Sequence, residues 1–174
     1  LTHEYAAVPD EMHAVANAMG VSQLRETSYE AVLKNIPALR EKLGDRAVLR
    51  ALHFFDENER VLDEVAALKA GDFETFKKLI IASGNSSFEY LQNVYAACAV
   101  EDQGMSLALA LAQHVLEGKG AWRVHGGGFG GTTQNFVPAA LVPAFRETVE
   151  SVFGAGSCHI LHIRPFGGVC VDKI

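Results

Sequence analysis

The sequence has 174 residues, of which 49% are hydrophobic, and a formal net charge of −6. This length suits one sizeable domain, and the acidic balance argues against nucleic acid or an anionic membrane surface as a partner. No apolar run approaches the roughly 18 residues of a membrane-spanning helix, and Cys98, Cys158 and Cys170 form no paired-cysteine motif, so we expect reduced thiols in a cytoplasmic protein.

The first two thirds of the chain have helical patterns. After Gly44, a long helix is predicted with one apolar stripe, formed by Leu52, Phe55, Leu62, Val65 and Leu68. We interpret its acidic residues as a solvated face; they are Glu57, Glu59, Asp63 and Glu64. Gly71 and Asp72 predict a helix end followed by a new N-cap. The stretch 84–87 predicts a break, and 102–120 predicts a helix that is apolar on most of its surface and therefore largely buried.

The last third is rich in β-forming residues. Four short segments bounded by Gly or Pro predict strands: AWRVH, TTQNFVP, CHILHIRP and GGVCVD. Between the second and third, a helix is predicted to begin near Pro143 and to end at Gly154. The sequence therefore predicts a single α+β domain over residues 1–174, with helices followed by a small, mostly antiparallel four-stranded sheet that has helices on one face.

Between the first two predicted strands lies RVHGGGFGGTT, from Arg123 to Thr133. Its glycines match the dinucleotide-binding spacing, but a strand pattern follows where that motif needs a helix. A phosphate-binding P-loop is also excluded, because Thr132 stands where the lysine is required. Two interpretations stay open: a close-packed hairpin whose glycines accept positive φ, or a loop that another backbone or a ligand approaches closely. Both predict a tight connection with at least one residue at positive φ.

We expect no metal site and no catalytic residue in this chain. His159 and His162 are three residues apart on a predicted strand, so their side chains point to opposite faces and cannot share an ion. No thiol or hydroxyl has a base that the sequence identifies.

The glycine motif resembles the third conserved motif of the galactokinases, in the GHMP kinase superfamily, with His125 in place of a threonine. The motif positions that match are Arg123, Gly126, Gly127, Gly128, Phe129, Gly130 and Gly131. The resemblance extends, in the family order, to the Glu-Tyr segment at Glu4, to the helix LRALHFFDENERV and to the stretch GDFETFKKLIIAS.

This resemblance implies the C-terminal domain of a galactokinase-like enzyme with the GHMP C-terminal fold. The family's sugar-binding arginine motif, serine-rich phosphate loop and catalytic aspartate do not occur in these 174 residues. It implies ATP, Mg²⁺ and galactose or a related sugar as ligands of the full-length protein, and its own N-terminal domain as a partner. The loop Gly126–Gly131 would shape the nucleotide cleft, with Phe129 anchored on the core. Tyr5 matches a sugar-contacting tyrosine; alternatively, it is an ordinary aromatic residue at a helix entrance.

Three functions stay open: galactokinase, kinase of another sugar such as N-acetylgalactosamine or arabinose, and non-catalytic sugar sensor with the same fold. Because the phosphate cradle is missing, we expect residues 1–174 alone to have no kinase activity. We also expect a homodimer through the cleft surface around Phe129, where apolar side chains should be exposed.

Overall fold

The computed structural model describes residues 1–168 and residue 170. In this part of the chain, six α-helices surround one two-stranded antiparallel sheet, in which Ala121 pairs with Phe136 and Val124 with Thr133. The α+β class is therefore confirmed. In chain order the elements are α1 (Thr2–Ala18), α2 (Tyr29–Leu43), α3 (Asp45–Lys69), α4 (Phe73–Ser86), α5 (Gly104–Leu116), β1 (Ala121–Val124), β2 (Thr133–Phe136) and α6 (Val142–Phe153).

The largest apolar core joins the first three helices. Small and branched side chains from α1, α2 and the first half of α3 interlock there, and they include Val15, Ala16, Val32, Leu39, Ala47, Val48 and Ala51. The second half of α3 differs: Leu62, Val65 and Leu68 are 63%, 43% and 52% exposed. Periodicity predicts which side chains share a helix face, but not whether another element covers that face.

Helix α4 begins as predicted, because Asp72 caps it: the Thr75 amide donates to Asp72 Oδ1 over 3.0 Å. The predicted break at 84–87 is wrong. The helix continues to Ser86 and then opens into a π-helical turn, Ser87–Leu91. Gly84 is needed for close packing instead, since a Cβ there would lie 2.9 Å from Arg123 Cβ and 3.1 Å from the Trp122 carbonyl oxygen.

The β-hairpin is covered on both faces, so the prediction of helices on one face is wrong. Alternate strand residues point to opposite sides of a sheet. On one side, Ala121 and Phe136 pack with Phe76 and Ile80 of α4. On the other, Trp122 packs against a cluster from α5 and α6 that is formed by Ala112, Leu116 and Phe145. Helix α5 is buried only in part, however, and its Leu107 is 49% exposed.

The four-stranded sheet is not supported. Helix α6 ends at Gly154 as predicted, but residues 158–165, predicted as the third strand, form no strand. The apolar side chains of this segment stay in solvent, and Ile163 is 88% exposed. A β-rich pattern describes residues that suit a half-buried pleated surface, but it supplies no partner strand. The predicted fourth strand, 167–172, lies largely outside the described residues.

Within residues 1–168 and 170, no helix is both long and apolar enough to cross a membrane.

Candidate functional site: the glycine loop and its supports

The glycine-rich segment is a tight connection between β1 and β2, as predicted. The His125 amide donates to the Thr132 carbonyl over 2.9 Å and closes the loop at its base. Positive φ occurs at Gly126 (60°), Gly128 (75°) and Gly131 (102°), and also at Phe129 (44°). The loop has two sides: Gly128 and Phe129 are buried, whereas the other four glycines are exposed.

The structure brings Tyr5 and the glycine loop together. The Tyr5 hydroxyl donates to the Gly128 carbonyl over 2.7 Å, and the Tyr5 and Phe129 rings meet edge to face with centroids 5.2 Å apart. Phe129 is buried. Its aromatic partner, Tyr5, lies at the start of α1, and the Tyr5 side chain is 41% exposed. Residues that are 123 positions apart in sequence therefore form one contact.

Two glycines of the loop make close approaches that a side chain would prevent. A Cβ at Gly128 would overlap the backbone carbonyl oxygen of Asn93, and a Cβ at Gly130 would lie 2.7 Å from the Tyr5 hydroxyl oxygen. The expectation that backbone approaches backbone here is thus confirmed at Gly128.

Asn93 supports the buried side of the loop, and the sequence did not single it out. Its carbonyl accepts the Phe129 amide over 2.7 Å, and its carboxamide nitrogen reaches the Gly126 carbonyl at 3.5 Å. The residue is 1% exposed. It directly follows the π-helical turn and Gln92, which has the left-handed conformation φ 57°, ψ 50°.

Arg50, in the second turn of α3, is also fully buried. Its Nε donates to the Leu91 carbonyl over 3.0 Å, and its Nη1 donates to Glu11 of α1 over 2.9 Å. The same Glu11 carboxylate accepts from Arg46. Burial lowers the pKa of Arg50, whereas the hydrogen bond to Glu11 raises that of Arg46. Helices α1 and α3 and the π-helical turn thus meet at one cluster of ion pairs and hydrogen bonds, two residues before Asn93.

A second polar cluster joins α3, α4 and β1. It includes Glu57, so the interpretation of this residue as part of a solvated face is wrong. Glu57 accepts from Ser83 and pairs with Arg60, and Arg123 donates to Ser83 over 2.6 Å. Glu59 and Asp63 are exposed as predicted. Burial is the main cause that raises the pKa of Glu64 and lowers that of Arg123.

His53 lies in the same cluster. Its Nδ1 is 2.9 Å from Ser86 Oγ. Burial lowers its pKa to about 4, and the positive charges of Arg60 and Arg123 contribute in the same direction. The imidazole is therefore neutral at physiological pH.

Other candidate sites are less developed. A cavity of about 310 Å³ lies between α4, α5 and β1, and its lining includes Phe88, Trp122 and Arg123 but neither Tyr5 nor the glycine loop. In the described residues, no group of three or more His, Cys, Asp and Glu side chains is placed to hold a metal ion.

Comparisons with known proteins show that the chain is similar to galactokinases. Over 149 residues, 86% of the chain, the sequence is 33% identical to the galactokinase of Glaesserella parasuis, and over 152 residues it is 30% identical to human galactokinase. The crystal structure of Lactococcus lactis galactokinase complexed with galactose matches 87% of the chain with a TM-score of 0.66 and 27% identity. The chain spans little more than a third of each of these proteins: 37%, 36% and 38%. No protein-family model matches the chain. The resemblance to the C-terminal portion of a galactokinase is thereby confirmed.

Proposed function

We propose that this chain, a homologue of the galactokinases, is the C-terminal domain of a sugar kinase. In the full-length protein it would take part in transfer of the ATP γ-phosphoryl group to the C1 hydroxyl of galactose. The observation that carries the proposal is the direct contact between Tyr5, matched to a sugar-contacting residue, and the glycine loop, matched to the nucleotide side of the cleft. The similarity to galactokinases does not favour a different sugar or a non-catalytic protein.

The glycine loop is proposed to shape the nucleotide side of the cleft. Phosphoryl transfer depends mainly on positioning and electrostatic stabilisation, so a loop that is fixed in place contributes to the chemistry. Gly128 and Phe129 attach the loop to the protein, while Gly126, Gly127, Gly130 and Gly131 present exposed backbone without side chains. Such a surface suits close approach by ATP phosphates or by the loop that cradles them.

Tyr5 is proposed to contact the sugar through its hydroxyl oxygen. The single hydroxyl proton is donated to Gly128, but a phenol oxygen also accepts hydrogen bonds. A sugar hydroxyl would therefore act as the donor toward Tyr5. In this arrangement the sugar and the glycine loop share one side chain, which links the two halves of the cleft.

The remaining requirements would be met by the full-length protein. Mg²⁺ would enter with ATP and neutralise charge that develops on the phosphates. The phosphate cradle and the catalytic carboxylate would come from the N-terminal domain, so residues 1–174 alone should be inactive.

The three free cysteines support a reducing, cytoplasmic location. Homodimerisation through the cleft surface around Phe129, where the neighbouring Tyr5 is 41% exposed, is also proposed, and a monomer in light scattering at high concentration would contradict it.

The test is ADP production by the purified full-length protein with ATP, Mg²⁺ and a panel of sugars. Galactose-dependent ADP release that exceeds release with N-acetylgalactosamine or arabinose supports the proposal. Preference for another sugar would indicate a kinase of that sugar in the same superfamily. Binding of galactose without turnover would indicate a sensor.

A second assay tests the role of the loop. In the full-length protein, Gly130→Val should lower kcat/KM for ATP, because the added side chain would collide with the Tyr5 hydroxyl and displace the loop that shapes the nucleotide cleft. Unchanged ATP kinetics with reduced stability would assign the loop a purely structural role.

A further inference from the structure

Two residues with a strained backbone lie at the hydrogen bond that holds the glycine loop. One is the donor residue, Phe129, and the other is Gln92, which precedes the acceptor residue. Gln92 and Phe129 are the two non-glycine residues with positive φ in the part of the chain that the structure describes. Gln92 directly precedes Asn93, whose carbonyl accepts the Phe129 amide. A non-glycine residue in this conformation persists only where its surroundings enforce it, and such residues concentrate at functional sites.

Next to Gln92, the backbone is bonded by the buried side chain of Arg50. Its Nε donates to the carbonyl of Leu91, the last residue of the π-helical turn and the residue before Gln92. Its Nη1 is held by Glu11 of α1. The Arg50 side chain is 1% exposed, so bulk water has little access to these two hydrogen bonds.

We propose that Arg50 is a positioning residue for the glycine loop. By fixing the Leu91 carbonyl, it holds Gln92 in its left-handed conformation and places the Asn93 carbonyl where the Phe129 amide requires it. Helices α1 and α3, which carry Tyr5 and Arg50 respectively, thereby set the loop from two directions. The catalytic importance of this device rests on the kinase function proposed above, but its structural effect does not.

Arg46 provides a matched control, because it lies one helical turn before Arg50 and binds the same Glu11 carboxylate. It makes no recorded hydrogen bond to Leu91, and its side chain is 38% exposed. Lysine at either position keeps the positive charge but lacks the guanidinium fork, which donates in two directions at once. Arg50→Lys should therefore release Leu91, whereas Arg46→Lys should not.

The experiment is native-state hydrogen exchange, resolved at the Phe129 amide, on the unaltered chain and the two lysine variants. Loss of a buried hydrogen bond from a charged donor should accelerate Phe129 exchange at least about tenfold in Arg50→Lys, with a change below about twofold in Arg46→Lys. Equal Phe129 exchange in Arg50→Lys and the unaltered chain would overturn the proposal. So would an equal acceleration in both variants.

A second pair of variants tests the same device if Arg50→Lys does not fold. Gln92→Gly accepts left-handed φ without strain, whereas the β-branched side chain of Gln92→Val opposes it. Phe129 exchange should remain near the unaltered rate in Gln92→Gly and rise in Gln92→Val. The same rate in both would show that the conformation of Gln92 does not set the loop and would overturn the proposal.

The kinetic readout separates this inference from the proposed function. In the full-length protein, Arg50→Lys should lower kcat/KM for ATP more than Arg46→Lys does. If the unaltered protein shows no sugar-dependent ADP release, the kinase proposal fails while the exchange result still decides the role of Arg50. If kinase activity is present and Phe129 exchange does not respond to Arg50→Lys, only the positioning role fails.

Discussion

The glycine loop is held from two sides by groups of different kinds. On its buried side, Asn93 presents a backbone carbonyl that is fixed by the elements around it. From α1, Tyr5 presents the hydroxyl of a partly exposed side chain to the Gly128 carbonyl. A backbone moves only with its whole element, whereas a tyrosine side chain can rotate. Similar close approaches, at Gly128 and at Gly130, should therefore tolerate substitution very differently.

The strongest test of this comparison is Gly128→Ala. The added Cβ meets the Asn93 backbone, and alanine opposes the φ of 75°, so the free energy of unfolding should fall by about 3 kcal/mol. Urea denaturation measures this change. Gly126→Ala is the control: its φ is 60° with no atom within 4 Å of the new Cβ, so only the conformational penalty of about 1 kcal/mol applies. Equal losses in the two variants would contradict a rigid Asn93 support.

Acid provides a different test, because it should act on His53 in the polar cluster of α3, α4 and β1 rather than on either support. His53 has a pKa of about 4 in the folded protein and about 6.5 when unfolded. The unfolded chain therefore binds more protons between these values, so His53 contributes stability that is present above pH 6.5 and lost as the pH falls toward 4. This contribution should decrease by about 2 kcal/mol between pH 7.5 and pH 5.

The measurement is urea denaturation across that pH range, with His53→Gln as the control. Glutamine keeps a polar side chain at this position but does not titrate, so the variant should lose this part of the pH dependence. An unchanged slope in His53→Gln would show that another group is responsible.

The sequence predicted the loop well because its signals are local. A run of glycines between two β-rich segments constrains the backbone wherever the rest of the chain lies, and the hairpin and its positive φ angles were confirmed. The supports of the loop depend on distant pairs, such as Tyr5 with Gly128 and Asn93 with Phe129. Charged residues on an amphipathic helix look alike in sequence whether water or a buried partner faces them, which is why Glu57 was assigned to solvent.

Gly84 and residues 158–165 also show that a local sequence pattern does not identify the distant residues that decide the structure. Glycine can end a helix or allow another element to pack closely, and only the position of Arg123 beside Gly84 decides between the two. Alternating β-formers at 158–165 predict a strand, but no partner strand is formed there. The resemblance of Tyr5 to a sugar-contacting residue likewise gave no indication that its hydroxyl binds Gly128.

Tyr5→Phe tests the side-chain support by itself. Phenylalanine keeps the edge-to-face contact with Phe129 but removes the hydrogen bond to Gly128, so the free energy of unfolding should fall by about 1 kcal/mol. Tyr29→Phe is a suitable control, since the Tyr29 ring makes a similar contact with Phe55 at 6.2 Å and its hydroxyl forms no hydrogen bond with any of the described residues. A Tyr5→Phe loss no larger than that of the control would remove Tyr5 from the supports of the loop.

Gly130→Ala should have the smallest effect, below about 1 kcal/mol, because the atom closest to its Cβ is the Tyr5 hydroxyl oxygen, at 2.7 Å, and the end of a side chain can shift. The informative quantity is its coupling to Tyr5→Phe in a double-mutant cycle measured by urea denaturation. Once the hydroxyl is removed, the new methyl group has room, so alanine should be less destabilising in the Tyr5→Phe background than in the unaltered chain. Additive losses would mean that the two changes act at independent sites. That outcome would also contradict the comparison, because an adaptable Tyr5 support requires Gly130 and the hydroxyl to compete for the same space.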